Sequence, residues 1–312
     1  MVTSFGQSAP VRYEEATKLP LAKLQEARKT LREFFDAWDG YCRRAEVGFE
    51  PSMSEMGVLT WVARIRPSVR DTDMERKLRY VVNDVRTALD NLVHEIGMHV
   101  GADEKVLFNN AFPVVAETDS WRKAVKDRLS QLPQPVVDRI RDVQPFARPR
   151  RGPFPKHPLA LLSDLDNANK HRDSFQVGLV PNPGQIRQLS SISFQLPVEL
   201  AATITAMQHS EEQVDEMIKF LPGLGPVHDG DPVFEIRLPN GISPPTLEIS
   251  PLDLPLSLAA VYDQERSGHF PIRPVIIDAY EYVRDTVLYV AGLDTKPPRP
   301  AELAQEAINW PR

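Results

Sequence analysis

The sequence predicts an α+β protein, mainly a helical bundle with a small antiparallel sheet inserted before the C-terminal helix. Three observations predict it. Apolar residues recur at helical spacing through most of residues 21–172. Near residue 175 the pattern gives way to short β-branched runs bounded by Pro, Gly and Asn. Helical spacing then returns over VIIDAYEYVRDTVLYVAGL, residues 275–293.

Each element has its own justification. From Leu21 to about Arg44 the chain is rich in strong helix formers, which predicts a long helix. GVLTWVARIR (57–66) is short and β-branched and reads as a strand. A helix follows from about Asp73 to His99, closed by Gly101. WRKAVKDRLSQLP (121–133) and PQPVVDRIRDVQPF (133–146) read as shorter helices separated by proline. A further helix runs from Pro158 to Arg172, with proline in its first turn as helix starts prefer. DSFQVGLVP, IRQLSSISFQLP, PVFEIRLP and PTLEISP are then four strands, and the last helix ends at Gly292. The expected organisation is one compact unit over 1–312. It has a helical part at 15–173 with one strand near 57–66, and a β-rich insertion at 174–255. A helix at 270–293 packs back on the bundle, and 294–312 is a tail.

Composition narrows the function classes. With 312 residues and 42% hydrophobic content, the chain can bury a sizeable core. Twenty-nine prolines against 15 glycines forbid long uninterrupted helices in the second half. A net charge of −6 argues against an overall electrostatic grip on nucleic acid and leaves a local basic patch open. The single cysteine, Cys42, excludes an intramolecular disulfide or a multi-cysteine zinc site and fits a reducing cytoplasm. The start, MVTSFGQSAPVRYEEATK, has no apolar signal core. No apolar run reaches the roughly 18 residues needed to span a bilayer, so no membrane partner is expected.

Two polar clusters sit inside stretches that otherwise read as packed helix. The first is Arg86, Asp90 and His94, beside the stripe Leu78, Val81, Val82, Val85, Leu89, Leu92 and Ile96. At 100° per residue, Arg86 lies roughly 90° from the stripe's centre, Asp90 about 130° and His94 nearly opposite. Arg86–Asp90 and Asp90–His94 are therefore natural i,i+4 contacts, either on a solvated face or at a site. The second cluster ends the 158–172 helix, whose stripe is Leu161, Leu162, Leu165 and Ala168 and continues onto Asn169 and Arg172. His171 falls on a flank. Charged groups at the end of an apolar stripe need partners, so Arg172 either ties helices together through an acid such as Asp90 or joins Asn169, His171 and Arg86 around a polar pocket.

A third feature is a local reversal of sign. RIRDVQPFARPRRGPFPKHP (139–158) sets Arg139, Arg141, Arg148, Arg150, Arg151, Lys156 and His157 against one acid, with Phe146 and Phe154 interleaved. Arginine forks among aromatics bind phosphates and stack bases, so Arg148, Arg150, Arg151 and Lys156 are the phosphate-binding expectation. The plainer alternative is a basic loop that pairs with acidic surface. Other patterns carry little. Arg151 and His157 satisfy an R-x5-H spacing, but two prolines between them place it in a loop. His94-Glu95 with His99 has the wrong spacing for a zinc protease helix. The sequence holds no P-loop, dinucleotide fingerprint or nucleophile elbow, and neither a metal nor a cofactor is expected.

Arg86-Thr-Ala-Leu-Asp90-Asn-Leu-Val, Phe112-Pro-Val, Gln144-Pro-Phe146 and Leu165-Asp-Asn-Ala-Asn-Lys-His-Arg172 occur in this order. The set resembles a bacterial family with an LRSALDHL-type helix, FPI and QPY tripeptides and an L-x-N-x-DKHR helix end. The resemblance spans roughly residues 75–175 and brings kinship rather than activity. More distantly, Arg followed by His at the RSALDH spacing is similar to the R-x(4–6)-H motif of HEPN-type ribonucleases. In those helical proteins two subunits bring their motifs together, with His moving a proton at the ribose and Arg stabilising phosphate charge, without a metal. This chain departs from that motif at Asn91, whose amide cannot serve as an acid or base near pH 7.

The functional expectation is an RNA- or nucleotide-interacting, HEPN-like protein, homodimeric by that resemblance, with a weak or altered metal-independent ribonuclease activity. Arg86, His171 and Arg172 are its candidate catalytic residues, supported by Asp90, Asn91, His94, Asp166, Asn169 and Lys170. Two alternatives stand beside it. One is a non-catalytic interaction protein whose clusters are buried salt bridges. The other is a small-molecule enzyme that holds an anion through Arg86, Arg172 and Asn169.

Overall fold

A computed structural model describes residues 11–53, 58–66, 73–107, 111–149, 157–170, 176–181, 218–220, 227–237, 256–263 and 268–301. In chain order the elements are α1 (Lys18–Arg44), β1 (Glu46–Met53), β2 (Val58–Arg66), α2 (Met74–His99), α3 (Glu104–Leu107), α4 (Thr118–Ala124) and α5 (Gln134–Asp142). They continue with α6 (Pro158–Lys170), β3 (Gln176–Pro181), β4 (Ile218–Phe220), β5 (Pro232–Arg237), β6 (Leu256–Asp263), β7 (Gly268–Pro271) and α7 (Ile272–Val290). A π-helical turn, Val125–Leu129, extends α4. The protein is α+β. Among the described residues no helix is long and apolar enough to cross a membrane.

Backbone contacts divide the chain into two compact units. The first comprises Met1–Phe35, Arg76–Arg172 and Arg273–Glu302 and holds the bundle. On α1 the buried residues Leu24, Ala27, Leu31 and Phe34 alternate three and four apart, one stripe of a helix. On α2 the buried set is wider. Ala88 and Val93 join Val81, Val82, Val85, Leu89, Leu92 and Ile96, so the helix is enclosed on most of its circumference. The last helix packs back on the earlier ones. The Tyr282 hydroxyl donates to the Val143 carbonyl at 2.8 Å, the Arg273 guanidinium lies 4.6 Å from the Phe35 ring centroid, and the Tyr13 amide donates to the Ala291 carbonyl at 2.9 Å.

Both long helices of this unit end in the same way. Gly101 (φ 76°) and Gly292 (φ 78°) take the left-handed conformation that lets the chain turn back. The amides of Ala102 and Leu293 then bond the carbonyls of Gly97 and Leu288, five residues back, at 3.0 and 2.9 Å. These bonds satisfy carbonyls that a helix end would otherwise leave open.

The second unit comprises Asp36–Glu75, Asp173–Ile272 and Leu303–Arg312 and holds two antiparallel sheets, ordered β1-β2-β5-β4 and β3-β6-β7. The expected single strand near 57–66 is one arm of a hairpin, with Glu46 opposite Arg66 and Pro51 opposite Trp61. Pro51 disguised β1 in the sequence, and β1 is an edge strand, where a missing amide is tolerated. The turn at His228–Asp231 pins β2: Gly230 donates to the Ala63 carbonyl, Ala63 to that of Asp231, and Ile65 to the Asp229 carboxylate. Of the four expected strands, QVGLVP and PVFEIR are β3 and β5. Those at 186–197 and 245–251 lie outside the described residues. The β-rich segment continues past 255 through β6 and β7 to the first residue of α7.

Candidate functional site

The site in the first unit is built from the four motif segments of the sequence. Arg86 and Asp90 are one turn apart on α2. Phe112-Pro113-Val114 lies in the segment before α4, Gln144 just beyond α5, and Asp166 with Lys170 on the last turns of α6. They meet in one network. The Arg86 guanidinium donates through Nη2 to the Phe112 carbonyl at 2.7 Å and lies 3.0 Å from Asp90 Oδ1. The same Asp90 oxygen accepts the Phe112 amide at 2.8 Å. Arg86 and Asp90 therefore grip both polar groups of one residue's backbone. Arg86 Nε sits 4.0 Å from Asp166 Oδ2, and Lys170 Nζ closes on that oxygen at 2.6 Å.

Gln144 holds the amide three residues along the clamped segment. It is fully buried, its Oε1 accepts the Val115 amide at 2.9 Å, and its Nε2 donates to the Ile140 carbonyl at 3.0 Å. The segment 112–115 thus lies between two polar clasps, with the buried Phe112, Pro113 and Val115 side chains filling the space between. A loop buried this deeply needs partners for its backbone, and these side chains supply them.

The electrostatics follow from enclosure. Arg86 is 9% exposed and Asp166 5%, so each charge needs the other and its hydrogen bonds. Burial pushes the Asp90 carboxyl above the usual carboxylate range, while Arg86, the Phe112 amide and Lys170 pull the other way. Arg86 Nη1 is buried and has no hydrogen-bond partner among the described residues.

Several sequence expectations change. A solvated face for Arg86 is wrong, because the wide apolar belt of α2 encloses it. The Arg86–Asp90 contact forms, whereas His94 lies 3.5 Å from Glu95 rather than against Asp90, with its side chain 39% exposed. On α6 the buried stripe includes Leu159 and Leu162, and its continuation by i+7 and i+4 is Asp166. Asn169 and Ala168 are only half-buried. A tie between helices runs from Arg86 on α2 to Asp166 on α6, while the expected tie from Arg172 lies outside the described residues. Asn91 is half-buried beside the clasp. His171, Arg172, Arg150, Arg151 and Lys156 lie outside the described residues.

The basic segment is anchored at its start. Arg148 donates through Nε to the Asp142 carbonyl at 3.1 Å, and the Arg139 guanidinium lies 6.0 Å from the centroid of Tyr289. The Tyr289 hydroxyl donates to Asp142 Oδ2 at 2.7 Å, and burial with that acceptor pushes the phenol up to about 12. Burial also raises Tyr282 well above its ordinary range. Its ring meets that of buried His157 edge-on at 4.9 Å, and His157 Nδ1 accepts the Leu159 amide, capping α6. Sequence spacing alone could not have found Trp121. Its ring lies 5.9 Å from that of Phe146, at 56°, and both are half-buried.

No protein-family model, curated protein or solved structure matches the chain, so the site is read from its own geometry.

Proposed function

We propose that the chain binds RNA or a nucleotide, without using the Arg86 cluster for chemistry. The observation that carries this reading is the commitment of Arg86: nine-tenths buried, it donates to the Phe112 carbonyl and pairs with Asp90, beside Asp166. A catalytic arginine must hold its donors ready for charge that develops on a substrate. This one is engaged with the protein's own backbone, and Asn91 brings no acid–base group to it. Binding falls instead to the basic segment beyond α5, in a reducing cytoplasm that suits the lone Cys42.

The test is a mixed single-stranded RNA pool, with chelator present, assayed for retention and cleavage across a salt series. Retention that falls steeply with salt, without cleavage, supports the reading. Metal-independent cleavage would restore the ribonuclease alternative, and no retention would leave an interaction protein. One observation favours the small-anion reading, namely the unpartnered Arg86 Nη1. A small anion that co-purifies with the wild type and is lost in Arg86→Met would support it.

A further inference from the structure

A run of basic side chains with two half-buried aromatic rings extends from α4 to just beyond α5. Residues 118–149 carry seven Lys/Arg against four Asp/Glu in a chain whose net charge is −6. Arg122, Lys123, Lys126 and Arg128 are exposed on α4 and its π-helical extension, and Arg141 is exposed on α5. The acid nearest Phe146 in sequence, Asp142, already accepts the Tyr289 hydroxyl. The excess of positive over negative side chains favours an outside anion here.

Within it lies the Trp121–Phe146 pair. Two tilted, half-buried rings form a corner rather than a filled stack. The corner is rigid. Phe146 follows the buried Gln144 and Pro145, and the amides of Ala147 and Arg148 both bond the Gln144 carbonyl at 3.0 Å. The Gln144 side chain holds Val115, while its backbone carbonyl holds the turn around Phe146. Arg122 and Lys123 follow Trp121 in sequence, and Arg148, with its Nε fixed, stands two residues beyond Phe146.

We infer that this corner stacks an unpaired base of single-stranded RNA, with Arg122, Lys123 and Arg148 taking the adjoining phosphates. The inference rests on the RNA-binding reading above and adds what is selected. A base in a duplex has both faces covered by its neighbours, whereas an unpaired base offers a face to an aromatic ring. The cations continue along α4 to Lys126 and Arg128, which fits a strand of several phosphates rather than a mononucleotide.

The experiment compares the full chain with Trp121→Leu and Trp121→Phe, the first keeping apolar packing without a ring and the second keeping the ring. The probes are a single-stranded RNA, its duplex and a mononucleotide, at matched salt, with thermal melts run alongside. Trp121→Leu is expected to weaken single-strand binding about tenfold with an unchanged salt slope and unchanged duplex binding, while Trp121→Phe retains most affinity. Equal single-strand binding by wild type and Trp121→Leu, with salt dependence intact, overturns the corner but leaves RNA binding standing. Duplex or mononucleotide bound as tightly as the single strand also overturns it. No RNA bound by the wild type overturns both readings.

Discussion

Arg86 and Asp90, one turn apart on α2, together bond the carbonyl and the amide of Phe112, twenty-two or more residues away in sequence. A pair that would be worth only tenths of a kcal/mol on a helix surface becomes structural here, because it is enclosed and replaces water for a buried loop. Arg86→Ala removes the cation beside Asp90, leaves buried Asp166 with Lys170 alone, and opens the Phe112 carbonyl. The expected loss is about 3–5 kcal/mol in urea unfolding. Arg86→Met, which fills the space without a charge, should lose less.

Gln144 offers a cleaner version of the same test. Gln144→Leu keeps the volume but leaves the Val115 amide and the Ile140 carbonyl without partners. A loss of about 2 kcal/mol in chemical denaturation is expected. Because only the side chain changes, hydrogen exchange at Val115 should rise, while Ala147 and Arg148, bonded to the backbone carbonyl of residue 144, should keep most of their protection.

Asp90 gives a pH signature. Its folded carboxyl is raised above the unfolded value of 3.8, so the native state binds the proton more tightly than the unfolded chain does. Its contribution is fully present below that pH and is lost as pH rises through the folded pKa. Compared with Asp90→Asn, the wild type should therefore lose relative stability between acid and neutral pH. Denaturation midpoints of the two proteins at both ends of that range check the sign.

Tyr289 should show the corresponding loss in base. Its phenol is raised from 10.0 to about 12, so the stability it contributes is present below pH 10.0 and is lost as pH climbs through about 12. In Tyr289→Phe that part of the alkaline loss should vanish, and the tyrosinate absorbance of the native protein should lose its late-titrating component.

Gly292→Ala tests the end of α7. The backbone there has φ 78°, and an added Cβ would meet Arg139 Nη1 and the Val11 carbonyl. Strain from the left-handed conformation alone is about 1 kcal/mol, and the clash adds to it. Gly101→Ala, where nothing lies within reach of a Cβ, should cost less, and paired thermal melts measure the difference.

How far the sequence told this in advance depends on the kind of signal. The bundle was legible because Leu24, Leu31 and Phe34, and likewise Val81, Val85 and Leu92, repeat with the period of a helix. β1 was not legible, since Pro51 and its polar neighbours hide an edge strand, and neither was β6, whose run LSLAAVYD lacks alternation. At the site, i,i+4 spacing foretold Arg86–Asp90. Periodicity could not reveal that Phe112 and Gln144 join it, because those contacts depend on how α2, α5 and the intervening segment pack. The stripe Leu161, Leu162, Leu165 and Ala168 does not reach Asp166; buried Leu159, seven residues before it, brings the acid onto the core-facing side.

If the proposed function holds, Arg86 secures the fold and does not process RNA. The most direct test measures urea unfolding and single-stranded RNA binding and cleavage on the same preparations of wild type and Arg86→Met. The expected result is a clear loss of stability, no cleavage by either protein, and equal RNA affinity under conditions where both are folded. Unchanged stability together with a wild-type cleavage activity that disappears in Arg86→Met would contradict it.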